Sequence, residues 1–141
     1  MSVNVLYRTS ARAVGGRVGR TATLDGSLDV KLNRPKELGG AGGEGNNPEQ
    51  LFAAGYSACF LSAMQFVASQ GGPKVPGDAA VTATIGIGPR SEGGFGLTVA
   101  LAVSLPGLDG AEAKTLVAKA HEVCPYPNAI RNNIDVDLSV V

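Results

Sequence analysis

Surplus charge and basic runs are what this chain lacks first. Its 141 residues hold 12 Lys plus Arg against 12 Asp plus Glu, with 3 Tyr, 4 Phe and no Trp. A nucleic-acid surface needs a concentrated positive patch with aromatics to stack on, so no nucleic-acid partner is expected. Histidine occurs once, as His121, and cysteine twice, as Cys59 and Cys124. That is too few soft ligands for a zinc site within one chain, and no bound metal is expected. Ser57 and Ser62 have no matching histidine and acid arrangement, which argues against a serine hydrolase. The opening MSVNVLYRTSARAV has no apolar signal-peptide core. A cytoplasmic home is therefore expected, and in a reducing compartment two cysteines read as reactive or incidental rather than as a permanent staple. There is no internal repeat and no linker, and the length suits one domain over residues 1–141.

Glycine is abundant, with 20 residues, and serves largely as punctuation between strands. Val3–Val14 alternates as a strand, Gly15-Gly16 turns, and Arg17–Leu24 returns. Asp25-Gly26 is a strong hairpin signal leading into Ser27–Leu32. Residues 33–46 form a glycine-rich loop in which Gly40, Gly42 and Gly45 match G-x-G-x-x-G. A dinucleotide fingerprint must leave a strand and open a helix; here the strand ends about eight residues too early, so the loop reads as a flexible crossover. Val81–Gly88 and Leu97–Leu105 alternate on either side of a Ser91–Gly94 turn. Asp109 and Glu112 form a capping box for a helix running to about Val123, which Pro125 and Pro127 should end. Ile134, Val136, Leu138 and Val140 alternate in a last strand. The order βββαββαβ argues an α+β fold with antiparallel sheets.

The chain is organised around Asn47–Gln70, NPEQLFAAGYSACFLSAMQFVASQ. Asn47, Pro48 and Gln50 carry helix-start signals, and no charge appears from Leu51 to Met64. Such a helix is expected to be buried on all sides. Its apolar core, about 14 residues, is short for a membrane span, so no membrane partner is expected. One sheet covers only one side of it, and the other side is expected to meet a second copy in an obligate homodimer.

Cys59 lies inside this helix and Cys124 at the end of the next. A cysteine in an apolar helix is often a small hydrophobe. One buried thiol plus one at a helix terminus is also the arrangement of an attacking and a resolving cysteine. A buried thiol stays inert unless a cation stabilises the thiolate, and Arg17 and Arg20 are candidates for it. Glu49, in the first helical turn, is placed for the helix dipole or for holding such an arginine. Ten residues, roughly 15 Å of helix, separate it from Cys59. In an antiparallel helix pair crossing near Ala54, Glu49 would approach the other copy's Cys59. His121 is expected to have a satisfied structural role.

NPEQLFAAGYSACF around Cys59 and AHEVCPYPNAIRNNIDV around Cys124 resemble the organic hydroperoxide resistance proteins of the OsmC/Ohr superfamily. So do GGRVGR, DGSLDVKL and PKELGGAGG, and the similarity covers nearly the whole chain. The resemblance implies an OsmC-like, intertwined homodimer with sites at the interface. It implies a thiol peroxidase acting on organic hydroperoxides, with Cys59 peroxidatic, Cys124 resolving, and Arg17 with Glu49 as catalytic arginine and carboxylate. It also implies a Cys59–Cys124 disulfide reopened by an external dithiol, a lipoyl group on a carrier protein or dihydrolipoamide, with no bound cofactor. Leu51, Phe52, Tyr56, Phe60 and Phe66 are candidates for an apolar substrate wall, with core packing as their alternative role. The family usually has Ser and Thr where this chain has Pro127 and Ile130, and commonly Gly at Asn132. Rival readings are the OsmC branch, a redox-sensing or ligand-binding dimer without turnover, and a structural dimer with inert thiols.

Overall fold

The computed structural model describes residues 1–141, which fall into two compact units, Met1–Pro48 and Glu49–Val141. The first holds an antiparallel three-stranded sheet of β1 (Ala11–Val14), β2 (Arg20–Thr23) and β3 (Asp29–Lys31). Val14 pairs with Arg20, and Arg20 with Lys31. A 3-10 turn, Gly16–Val18, joins β1 to β2. It is tight because Gly15 and Gly16 take φ of 81° and 59°, and because a Cβ on Gly19 would stand 1.7 Å from the Val14 carbonyl oxygen. The Asp25 carboxylate accepts from the Ser27 N–H and from the Thr23 and Ser27 hydroxyls, which closes the hairpin expected at Asp25-Gly26.

The strands are shorter than their alternation predicts. Residues 3–10 belong to no strand and are exposed, because a strand exists only where a neighbour completes its ladder. Arg17 lies in the 3-10 turn, three residues before β2. The glycine-rich loop is held at both ends: Leu32 bridges Asn46 in parallel, and the Asn33 side-chain amide donates to the Gly42 carbonyl at 2.6 Å.

The second unit contains α1 (Pro48–Ser69, of which Pro48 closes the first unit), β4 (Ala80–Pro89), β5 (Phe95–Ser104), α2 (Gly110–Val123), α3 (Pro125–Ile130) and β6 (Val136–Val140). β4 and β5 form the expected hairpin, registered from Ala80 opposite Ser104 to Pro89 opposite Phe95. β6 joins β5 in parallel, with Val99 opposite Val136, which corrects the expectation of antiparallel pairing throughout. The connection through α2 and α3 is the long crossover that a parallel pair requires. Pro125 does end α2, but it opens α3 at once: proline is accommodated in a first turn, where its missing N–H is no loss.

Buried side chains from α1 (Tyr56, Phe60, Met64), β5 (Val99, Leu101, Val103) with Leu105 just after it, and α2 (Leu116, Val117, Ala120) meet in one core with Cys124. Each large apolar member contributes about 1.5–3 kcal/mol by leaving water. The Asp109 carboxylate accepts from the Ala111 and Glu112 amides and starts α2. On α1 the buried residues Tyr56, Phe60, Ala63, Met64 and Val67 form one stripe. Ala54, Ala58, Ser62 and Gln65 are exposed, so burial on all sides is corrected to burial on one side within a single chain. By length and composition alone α1 could cross a membrane, a test that the core helix of a soluble protein also passes.

Candidate active site

Cys59 projects from the middle of α1 and is partly buried; Cys124 is 0% exposed. Cys124 occupies the joint between α2 and α3 in an extended conformation, φ −65° and ψ 131°. Its N–H closes α2 on the Ala120 carbonyl at 2.9 Å, and its carbonyl accepts from the Asn128 N–H at 3.3 Å. This double role fixes the direction of its side chain. The thiol points at α1, where Cys124 Sγ donates to Cys59 Sγ at 3.7 Å. A disulfide is about 2.05 Å long, so a rotamer change and a small approach would join the two sulfurs.

The two thiols are not equivalent. Burial pushes Cys124 from 9.0 up to about 11; the Tyr126 backbone N–H opposes the shift, and the hydrogen bond and charge of Cys59 add to it. Cys124 therefore keeps its proton near neutral pH. It is the donor of the pair, and Cys59 is the sulfur that receives.

Three aromatic rings close one side. Phe52 meets Tyr56 edge-on at 5.8 Å and stacks on Tyr126 at 5.9 Å, while Tyr56 and Tyr126 meet at 5.3 Å. Such pairs add about 0.5–1.5 kcal/mol each beyond their buried area. Tyr126 was not singled out in the sequence, although it stands two residues after Cys124. It reaches α1 because Gly55 leaves room: a Cβ there would be 2.6 Å from the Tyr126 hydroxyl. Tyr56 is fully buried, its hydroxyl has no hydrogen-bond partner, and burial raises it from 10.0 to about 12.

Among the other candidates, Phe60 is also fully buried and belongs to the core, while Leu51 and Phe52 are partly buried. Phe66 is 56% exposed and lines a groove of about 330 Å³ with Val67, Lys119, Glu122 and Val123, which includes neither cysteine. Glu49 is partly buried in the first turn of α1. In the first unit, Arg17 is partly buried on its glycine-locked turn. Arg20 instead donates to Asp29 across β2 and β3 at 2.6 Å on the surface. His121, in the last turn of α2, has its pKa lowered by burial first and then by Arg131. Its Nδ1 is buried without a partner, which corrects the expectation of a satisfied ring.

The OsmC-like protein family matches residues 40–139. An organic hydroperoxide resistance protein of Xanthomonas axonopodis pv. citri is 57% identical over 96% of this chain and 95% of its own length. The organic hydroperoxide resistance protein OhrB of Bacillus subtilis is 40% identical over 96% of this chain and 98% of its own. A crystal structure from Legionella pneumophila, described as an organic hydroperoxide resistance protein, superposes with a TM-score of 0.91 at 52% identity, covering 97% of this chain and 98% of that one. One from Vibrio cholerae, described as a putative organic hydroperoxide resistance protein with captopril in one of its active sites, gives 0.92 at 49%, covering 99% and 95%. With a family match over most of its length and these identities end to end, the chain belongs to the organic hydroperoxide resistance proteins of the OsmC-like family.

Proposed function

We propose that this chain confers resistance to organic hydroperoxides as a cysteine-based thiol peroxidase. The observation that carries the reading is the 3.7 Å approach of Cys124 Sγ to Cys59 Sγ, with Cys124 retaining its proton. Cys59, as a thiolate, attacks one oxygen of the O–O bond. The alkoxide leaves and takes a proton from water, and Cys59 becomes a sulfenic acid. The Cys124 sulfur then attacks the Cys59 sulfur; its proton goes to the departing hydroxide, water leaves, and a Cys59–Cys124 disulfide remains. An external dithiol, such as a lipoyl group, reopens that bond by two exchange steps and departs as a cyclic disulfide.

Arg17 is the guanidinium in this scheme, holding the anionic sulfur and the peroxide oxygens, with Glu49 orienting it. Their motif positions and the planar, permanently charged fork of arginine support these roles. Phe52 and Tyr126, both partly buried, provide apolar surface near the cysteines, which suits alkyl and fatty-acid hydroperoxides. A second copy covers the exposed, small-residue face of α1 around Ala54 and Ala58, where two helices can approach closely. The cytoplasm, where dithiol reductants circulate, is its place of work.

The test is steady consumption of cumene or tert-butyl hydroperoxide with dihydrolipoamide, and with thioredoxin as the alternative. Sustained turnover lost in Cys59→Ser supports the enzyme. A single stoichiometric oxidation would instead indicate a redox sensor.

A further inference from the structure

We propose that Arg131 is a positioning residue that staples α2 to α3 across Cys124 and so sets how fast the resolving sulfur closes on Cys59. The proposal rests on the peroxidase reading for its purpose, but its geometry stands independently. Arg131 is the residue that ends α3. Its Nη2 donates to the His121 carbonyl at 2.9 Å, and its Nη1 donates to Asn128 Oδ1. His121 is three residues before Cys124 and Asn128 four after it, so one guanidinium grips both sides of the joint.

Tyr126 docks α3 on α1 and Pro127 is buried, while Arg131 is the side chain that bonds acceptors on both sides of the joint. α3 has six residues and no side-chain cap at its start. A helix of that length does not persist on its own. Beside it lies a groove of about 310 Å³ bordered by His121, Pro127, Arg131 and Asn132, so packing is incomplete on the side where Arg131 lies. The carbonyl that Arg131 takes is one of the last in α2, a group left without an intrahelical partner and favourable to a cation. A planar fork can serve both acceptors at once; an ammonium reaching from Lys cannot hold the same pair in the same plane. Just beyond, Asn132 turns the chain with φ 66°, a conformation asparagine tolerates better than most residues.

The expected consequence is a separation of steps. Oxidation of Cys59 by peroxide depends on Cys59 and its surroundings, while closure depends on where the Cys124 sulfur is held. A displacement near 1 Å can slow a reaction about a hundredfold. Arg131→Met should therefore slow disulfide closure roughly ten- to a hundredfold. The first oxidation should keep its rate, so more Cys59 passes on to sulfinic acid when peroxide is in excess. Asn128→Ala, which removes one acceptor from an exposed position, should do the same more weakly, and Arg131→Lys should fall between wild type and Arg131→Met.

The experiment follows the full-length protein by rapid quench, alkylation and mass spectrometry after cumene hydroperoxide, scoring sulfenic acid, disulfide and sulfinic acid. A parallel arm replaces peroxide with diamide, which one thiolate adds to and a second thiol displaces as the hydrazine, leaving a disulfide. Circular dichroism confirms folding of each variant. Slower closure with an unchanged first step, in both arms, supports the staple. Wild-type closure in folded Arg131→Met, or equal slowing of both steps, overturns it. If peroxide fails to oxidise wild-type Cys59, the peroxidase reading falls, and the diamide arm alone decides on Arg131.

Discussion

The hydroxyl of Tyr126 occupies the space that Gly55 leaves on α1, with only 2.6 Å between that oxygen and the point where a Cβ would stand. One glycine thus lets α3 dock on α1 two residues from Cys124. Gly55→Ala gains up to about 1 kcal/mol of helix propensity but overpacks the contact by about 1–3 kcal/mol. The expected outcome is a net loss near 1 kcal/mol in chemical denaturation, with slower Cys59–Cys124 closure. A fully wild-type closing rate would show that the Tyr126 contact does not aim Cys124.

The two thiols should divide the chemistry unequally. Cys59→Ser should abolish turnover, and Arg17→Ala should lower it about 10²–10³-fold, as removal of a preorganised charge-stabilising group does. Cys124→Ser should complete one turnover and stop, its Cys59 trapped or over-oxidised by excess peroxide. Steady-state assays with dihydrolipoamide, paired with single-turnover quench, separate these outcomes. Sustained cycling by Cys124→Ser would dismiss Cys124 as the resolving residue.

Alkaline pH should weaken the reduced protein. Cys124 is raised from 9.0 to about 11, so between those values the unfolded chain has released a proton that the folded chain still holds. Folding is then opposed: stability is fully present below pH 9 and is lost as pH rises towards 11. At about 1.4 kcal/mol per pKa unit the loss is roughly 1–3 kcal/mol. Tyr56, raised from 10.0 to about 12, extends the decline to higher pH. Denaturant titrations from pH 8 to 11 should show this slope in wild type and a shallower one in Cys124→Ala.

The open face of α1 makes an assembly prediction. Light scattering should give twice the monomer mass, and Ala58→Glu, which sets a charge on that face, should shift the population towards monomer. A wild-type mass equal to the 14.3 kDa monomer at micromolar concentration would remove the dimer.

Much of the fold could be read from periodicity. The odd positions from Val99 to Leu105 are buried as their alternation requires, and Asp109 caps α2 as its motif requires. Where the reading failed, a partner in space decided. Val3–Val14 alternates along its length, but only Ala11–Val14 finds a neighbouring strand in this chain. α3 was hidden because Pro125 signals both the end of one helix and an acceptable start for the next. Both cysteines could be named from their motifs; that they approach could not, since a separation of 65 positions carries no record of distance. Tyr126 was visible as a ring near Cys124, but its usefulness depends on the absent Cβ of Gly55, four elements away on α1. Arg131 was not singled out in the sequence, because its bonds are to two acceptors that only the turn at Cys124 brings to it.

The long separation between the cysteines has one more effect. Joining residues 65 positions apart encloses β4, β5 and α2 in a single covalent ring. In the chain-entropy account such a ring stabilises the folded state by roughly 4 kcal/mol. The disulfide form should therefore melt later and resist proteases longer than the dithiol form. Whenever reductant runs short, the pool would drift towards its most durable member, so that the protein lasts longest in the cell when oxidants press hardest.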